Sequence, residues 1–389
     1  MSKYLLSVVI PTRNRHYYAE KSIRQVYSQL SEDCQVVIQD NSDSSVLKEM
    51  ISDLLSFDNI TYNHTAESLS FVANFDQALS LVQGKYVCMI GDDDGITSFL
   101  REVAIWANEN DIQAIRPTLD LVYFWPNSKV FSANQDTGIL QINTSTSKIY
   151  DKKPGKALRN LLKDGCLDYL QKEMVKIYHG LISYEILLEI KKRTGNFVGG
   201  LSPDIYLSVA LTILSKGRCV AIDFPITISG ICVSSGSSSS ATGAHTGKLE
   251  QAPHFKGHNH YVWDRRVPEF YSVETIWADS ALAAVKDLDS ERLVYFDGIP
   301  LYYSLMRKYP DFNREIQEAI TKNISNNVNF KAYKIKLFVN RIRKSIVYRL
   351  GRRKQLQFKD VSNIDEASNL IEKNMAGVYR EFKERYAGK

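Results

Sequence analysis

Three aspartates stand side by side at positions 92–94, directly after the apolar run Tyr86–Ile90 and before Gly95. Neighbouring carboxylates repel and raise one another's pKa, so the cluster costs free energy unless a cation or a hydrogen-bonded turn compensates it. A turn capping a helix that begins near Thr97 would account for one of them. Three in succession at the end of a buried strand favour a divalent cation. Mg2+ or Mn2+ takes hard oxygen ligands, commonly one or two carboxylates together with substrate phosphates, and the carboxylate left over can orient water or a hydroxyl. A fourth candidate, Asp204, lies in SPDIYLSVAL, where Ser202 suits a helix N-cap, Pro203 the first helical position, and the Asp204 charge the positive end of the helix dipole. That placement alone is worth about 0.3–1 kcal/mol of stability, so a chemical role needs further support.

The elements that position these residues read as alternating strands and helices over the first 125 residues. Strand patterns cover Leu5–Ile10, Gln35–Gln39, Ile60–Tyr62, Tyr86–Ile90 and Ala114–Phe124. Helical spacing covers Tyr17–Leu30, Val46–Leu55, Ser70–Val82 and Phe99–Asn108. Strands separated by helices predict an α/β fold, a mostly parallel sheet flanked by helices. Ligands in such sheets bind beyond the carboxyl ends of the strands, where Pro11–Asn14, Asp40 and the acidic trio all fall. After Asn127 the pattern loosens. Helices are expected at Ala157–Lys163, Leu167–Ile177 and Tyr184–Arg193, with a strand across 221–231 and a Ser/Gly loop at 234–247. From about residue 265 the chain reads as mainly helical. The expected division is therefore 1–125, 126–264 and 265–389.

At 389 residues, 44% hydrophobic and 24% charged, the composition is that of a globular chain rather than a disordered one. MSKYLLSVVIP is too short and wrongly flanked for a signal peptide, and no later apolar run approaches the ~18 residues of a membrane span, so a cytoplasmic location is expected. The five cysteines are odd in number and widely spaced, which suits reduced core thiols. His254, His258 and His260 in HFKGHNH have spacing that could bind zinc, but no Cys or carboxylate pair supports it, and solvated loop histidines are the better reading. The net charge of +5 is uneven: Lys331–Lys354 holds ten Lys or Arg and no acid, which leaves 5 − 10 = −5 elsewhere. Within that segment Ile335, Phe338, Val339, Ile342, Ile346 and Leu350 form an apolar stripe that Gly351 would end. The basic face suits docking on the catalytic body or an anionic membrane surface, where each Lys or Arg contributes about 1 kcal/mol. No nucleic-acid module or aromatic platform accompanies it.

LLSVVIPTRNR, AEKSIRQVYSQ, QVVIQDNSD and NFDQALSLVQGKYVCMIGDDD, in that order over about 90 residues, resemble the family 2 glycosyltransferases. The resemblance implies a GT-A (Rossmann-like) fold and a metal-dependent transfer of a hexose-type sugar from a nucleotide-sugar, by preference a UDP-sugar, to a glycan or lipid-linked acceptor in surface polysaccharide biosynthesis. Carried onto this chain, Pro11, Thr12 and Arg13 line the base pocket, and Asp40 accepts from uracil N3–H, a hydrogen that cytosine lacks. Asn74 reaches the ribose or diphosphate, Asp92 and Asp93 the donor, and Asp92 and Asp94 are the preferred pair for Mn2+ or Mg2+. His245 is a further metal or diphosphate ligand by the same likeness, on a loop that would close over the donor. Asp204 fills the slot of the general base in inverting members, without the Glu that often precedes it. The sequence has GDDD where many members have D-x-D-D and QDNS where many have DDGS. Alternatives are a sugar nucleotidyltransferase, for which PTRNR lacks the usual Gly-rich loop, and a non-catalytic glycan-binding protein of the same fold. If the basic segment is an anchor, the enzyme would work at the inner face of the cytoplasmic membrane.

Overall fold

The computed structural model describes residues 2–126, 128, 137–233, 246–249, 261–324 and 353–386. In chain order β1 (Tyr4–Thr12), α1 (His16–Gln29), β2 (Cys34–Asp40), α2 (Val46–Met50), β3 (Ile60–His64), α3 (Phe71–Ser80) and β4 (Gly84–Met89) build the first half of a large sheet. β1 pairs in parallel with β2 and β4, and β2 with β3. β1 and β4 are near-continuous apolar runs because both faces are covered, whereas β3, at the edge, is half-buried throughout. The two-residue period assigns the faces: Leu6, Val8, Ile10, Val36 and Ile38 enter one core, while Val9 and Val37 enter the other. α1 packs on the first face and α3 on the second. Ser70 caps α3 by accepting from the Ala73 N–H at 3.1 Å.

Next come β5 (Gly95–Ile96), α4 (Phe99–Glu109), β6 (Ile112–Pro117), β7 (Leu121–Phe124), β8 (Gly138–Asn143), β9 (Ile149–Lys152), α5 (Pro154–Lys163), β10 (Leu181–Ser183), α6 (Tyr184–Thr194), α7 (Pro203–Leu214), β11 (Arg218–Ile222) and β12 (Thr227–Ile231). Among the described residues the large sheet has the order β3-β2-β1-β4-β10-β6-β11-β9. It is parallel through β4 and between β6 and β11, and antiparallel where β10 and β9 insert. The expected strand over Ala114–Phe124 is two strands, divided after Pro117, with β6 in the large sheet and β7 in a second one. The expected strand over 221–231 divides in the same way around Pro225. The helix expected over Leu167–Ile177 is only a short turn at Tyr169–Gln171, since Cys166 and Asp168 adopt left-handed backbone angles, φ +61° and +56°, that a helix cannot continue. α2 likewise stops at Met50, short of the expected Leu55.

α8 (Val273–Asp289), α9 (Gly298–Lys308) and α10 (Asn313–Asn323) join α5, α6 and α7 on the face of the sheet that Val9 and Val37 serve. β13 (Gln355–Val361) and α11 (Ile364–Tyr386) behave differently. β13 pairs with β8 in the second sheet, whose order is β13-β8-β7-β12-β5. α11 packs on the opposite face, against α1 and α4, where the Tyr379 ring stacks on Phe99 at 4.3 Å and Phe382 meets Phe99, Trp106 and Phe224 edge-on. Residues 355–386 therefore belong with the first 125, not with the helices that precede them. The basic segment 331–354 lies outside the described residues apart from Arg353 and Lys354. Arg353 is not a free surface cation, because its guanidinium pairs with Asp120 at 2.6 Å and with Asp223. No helix among the described residues is long and apolar enough to cross a membrane.

The docking of α11 rests on Phe382, which is fully buried. Phe382→Ala should lower unfolding stability by about 3–5 kcal/mol in urea denaturation; a loss below about 1 kcal/mol would mean that α11 is not part of the first core.

Candidate functional site

The strand ends meet where the sequence places them. β1 ends at Thr12, in register with Asp40 at the end of β2, and the acidic trio follows β4. Asp92, Asp93 and Asp94 are all buried. Three buried carboxylates demand compensation, and Arg15 supplies most of it. Its Nη1 lies 2.5 Å from Asp92 Oδ1 and its Nη2 2.7 Å from Asp93 Oδ2. The Thr12 hydroxyl donates to Asp92 Oδ2 at 2.6 Å, and the Cys232 N–H to Asp93 Oδ2 at 3.3 Å. Burial still outweighs the Arg15 charge, so both carboxyls are pushed up, Asp93 to about 7, with Asp94 adding to its shift. Arg15 in turn is held above its ordinary value by Asp92 and Asp93, despite the opposing effect of burial.

Asp94 has a separate set of partners. Its Oδ2 accepts from the Gly91 N–H at 2.6 Å and from the Tyr178 hydroxyl at 3.0 Å, and its Oδ1 from the Gly230 N–H at 2.7 Å. His179 Nε2 stands 3.4 Å from Oδ2, while its Nδ1 meets Thr227 Oγ1 at 2.9 Å. Burial lowers the His179 pKa, which keeps the ring neutral near pH 7. Gly230 has to be glycine, because a Cβ there would overlap the Asp93 carbonyl that also accepts from Trp125 Nε1 at 2.8 Å. The second sheet thus exists, at this point, to bring β12 against the trio.

The remaining predicted residues fall around this centre. Asp40 is fully buried, with Oδ1 accepting from the Ser42 N–H at 2.9 Å and Oδ2 from the Tyr62 hydroxyl at 2.8 Å. Pro11 is buried at the end of β1, and Arg13 donates to Leu69 O at 3.2 Å and to Asn41 Oδ1 at 3.4 Å. Asn74 sits on α3, buried, and among the described residues its Oδ1 has no hydrogen-bond partner; neither has the buried Arg15 Nε. His245 and the loop up to residue 245 lie outside the described residues.

Asp204 opens α7, with Pro203 at the first helical position; Ser202 occupies the cap position, but its side chain makes no cap bond. The segment leading into α7 is tied at two points. Asp76 Oδ1 on α3 accepts from the Phe197 and Val198 N–H groups at 2.6 and 3.1 Å, and Ser280 Oγ on α8 accepts from the Leu201 and Ser202 N–H groups at 3.0 and 2.9 Å. The Asp204 side chain is open to solvent yet ringed by protein. Loss of bulk water around it raises the carboxyl to about 6, against the pull of Lys176 and with a push from Asp94. Lys176, desolvated and beside Arg116, falls to about 7.

The acidic donor set fits a hard divalent cation in kind: it is all oxygen, anionic, buried, and already grips a cation in the Arg15 guanidinium. In this arrangement the oxygens close on Arg15 and on backbone donors, and among the described residues no three ligand-type side chains stand in an open metal-site arrangement. Asp92 and Asp93, held by a side chain that can swing away, are more available to an ion than Asp94, whose oxygens are bound by fixed backbone groups.

Sequence reasoning did not single out Arg15, Lys176, Tyr178 or His179. For Arg15 the signal was present, an opposite charge at another strand end. For Lys176-Ile-Tyr-His179 only a polar run before β10 hinted at it.

Buried carboxylates at the carboxyl ends of a doubly covered sheet define a ligand-binding α/β domain. Residues 7–136 match the family described as Glycosyl transferase family 2, and the α/β fold expected from that likeness is the fold found. No curated protein matches the chain. Among solved structures it is similar to S. aureus TarS 1-349 in complex with UDP, at 12% identity over 82% of this chain and 75% of that one with TM-score 0.42. It is also similar to S. aureus TarS 1-349 in complex with UDP-GlcNAc, at 10% identity over 82% and 91% with TM-score 0.43.

Arg15→Gln leaves Asp92 and Asp93 buried without their counter-charge and should lower stability by about 3–5 kcal/mol at pH 7.5. Protonated carboxyls need no counter-charge, so the gap to the unaltered protein should narrow as pH falls toward 5. Urea titrations of both proteins across that range check it; a gap that stays constant with pH rejects the ion-pair account.

Proposed function

We propose that the chain transfers a sugar from a nucleotide-sugar, by preference a UDP-sugar, to a hydroxyl of a glycan or lipid-linked acceptor in surface polysaccharide assembly, with inversion at the anomeric carbon. The observation that carries the reading is Asp204: an accessible carboxylate, raised to about 6, within electrostatic range of the acidic centre. A general base works best with a pKa near the operating pH. Asp204 takes the proton of the acceptor hydroxyl as that oxygen bonds to the anomeric carbon. The bond from that carbon to the diphosphate oxygen breaks, and its electron pair leaves with the nucleoside diphosphate.

On the donor side Asp40 would accept from uracil N3–H, with Pro11, Thr12 and Arg13 around the base. Among the described residues the buried Arg15 Nε–H and Asn74 Oδ1 lack protein partners, which suits a donor and an acceptor awaiting a ligand. The pair expected from the likeness for Mn2+ or Mg2+ is Asp92 and Asp94, with His245 as a candidate ligand; because backbone N–H groups hold both Asp94 oxygens, Asp92 and Asp93 are the pair we would place on the ion first, with Asp94 behind them. The ion, when bound, shields the charge that develops on the departing diphosphate. Arg15, once released from the carboxylates, is a cation placed to do the same. The basic segment 331–354 would rest on an anionic membrane surface at the cytoplasmic side, where lipid-linked acceptors are found; flotation with anionic liposomes should be lost on deleting 331–352, and unchanged flotation would remove this part of the proposal.

Asp204→Asn should cut transfer about 10²–10⁴-fold while UDP binding, measured by calorimetry, stays within two-fold of the unaltered protein. Because the base must be deprotonated, kcat/KM should fall with decreasing pH through an apparent pKa of about 6. Full turnover by the Asn variant, or a pH profile flat from 5 to 8, would exclude Asp204 as the base.

A further inference from the structure

A concavity opens on the far side of the turn that carries Tyr169, whose hydroxyl lies within electrostatic range of Asp204. The turn at Tyr169–Gln171, the start of α8 and the length of α9 enclose a groove of about 600 Å3, inside the roughly 300–1,000 Å3 typical of ligand sites. Trp277 and Tyr303 present aromatic surface to it, Leu170 stands 56% exposed at its edge, and Gln171, Ser304 and Arg307 add polar groups. Among the described residues its charged lining balances: Asp168 and Glu274 face Arg307 and Lys308, and Glu274 already accepts from Lys308 Nζ at 2.7 Å and the Tyr309 hydroxyl at 2.9 Å. A wall with two acids against two bases has no net field to attract a polyanion or a polycation. Aromatic faces combined with short-range donors and acceptors instead suit a neutral chain that is apolar on its C–H faces and rich in hydroxyls.

The groove is also connected to the chemistry. Tyr169 packs edge-on against Trp277 with ring centroids 4.7 Å apart. Lys176, the charged neighbour of Asp204, donates to Leu170 O at 2.8 Å and lies 5.0 Å from the centre of the Tyr169 ring. One wall of the groove is therefore the other side of the turn that positions the groups around the base.

We propose that this groove binds a neutral glycan chain, holding the sugar units of the acceptor beyond the one that meets Asp204. The inference rests on the transferase reading above and narrows its acceptor to a glycan long enough to reach from α7 to α9.

The test uses the full-length protein on a printed array of defined neutral and anionic oligosaccharides of increasing length, with Trp277→Ala, Trp277→Phe and the unaltered chain compared side by side. UDP affinity is measured on the same preparations. The unaltered protein should bind neutral oligosaccharides, more strongly as they lengthen. Trp277→Ala should lose about ten-fold or more of that binding, Trp277→Phe should retain most of it, and UDP affinity should not change in either. Equal array profiles for the Ala variant and the unaltered protein, retention confined to anionic glycans, or no glycan bound at all would each overturn the proposal. A protein that bound glycans through Trp277 but not UDP would keep the groove and discard the donor assignment.

Discussion

The guanidinium of Arg15, wedged between Asp92 and Asp93 at the bottom of the site, is the contact on which the rest is arranged. Without it the trio would place up to three charges in a region from which water is largely excluded, a situation that a fold tolerates only by protonating them or opening the site. With it, the carboxylates are kept ordered and the segment after β4 can be packed against β12. The same contact is provisional by design of its chemistry. Arg15 reaches the acids with a long flexible side chain, whereas Asp94 is fixed by backbone N–H groups from Gly91 and Gly230. The centre therefore has one rigid carboxylate and two that are held by an exchangeable partner, a division suited to admitting a ligand without unfolding its surroundings.

Two sheets serve this centre from different directions. The parallel half of the large sheet brings Thr12, Asp40 and the trio to one edge, as parallel βα units do. The smaller sheet contributes β12, whose glycine lets the Asp93 carbonyl approach and whose Thr227 orients His179. The segment leading into α7 is then tied to two helices of one core, through Asp76 on α3 and Ser280 on α8. Side chains from five or more elements converge here; Asp76, Asp94 and Ser280 are held by backbone N–H groups, while Asp92 and His179 are held by other side chains.

The sequence was legible where structure is local. Strands β1 to β4 and the helices between them follow from two- and 3.6-residue periods, and the strand-end position of Asp40 and the trio follows from those. The antiparallel insertion of β10, the division of 114–124 and 221–231 between two sheets, and the return of α11 are set by pairings between distant segments, for which a local pattern carries no information. Leu167–Ile177 shows the reverse failure: its apolar spacing is helical, but Cys166 and Asp168 in left-handed conformations break it, and Tyr169 is packed on α8 and Val175 held by α7 instead. At the site, residue type alone pointed to the acids. Their partners, Arg15 and His179, are 77 and 85 or more positions away in sequence from Asp92 and Asp94 and could be matched to them only in three dimensions.

The packing of α11 has a consequence for biosynthesis. Gln25 on α1 donates to Ser368 at 3.2 Å across 343 residues of chain, and Phe99 is sandwiched by rings from 379 and 382. The apolar surface around Phe99 and Trp106 of α4 therefore stays uncovered on the ribosome until the helix at 364–386 has been translated, which is most of the time of synthesis. Contacts of such sequence span slow folding and expose intermediates to aggregation, so the return of α11 is the late step that closes this core.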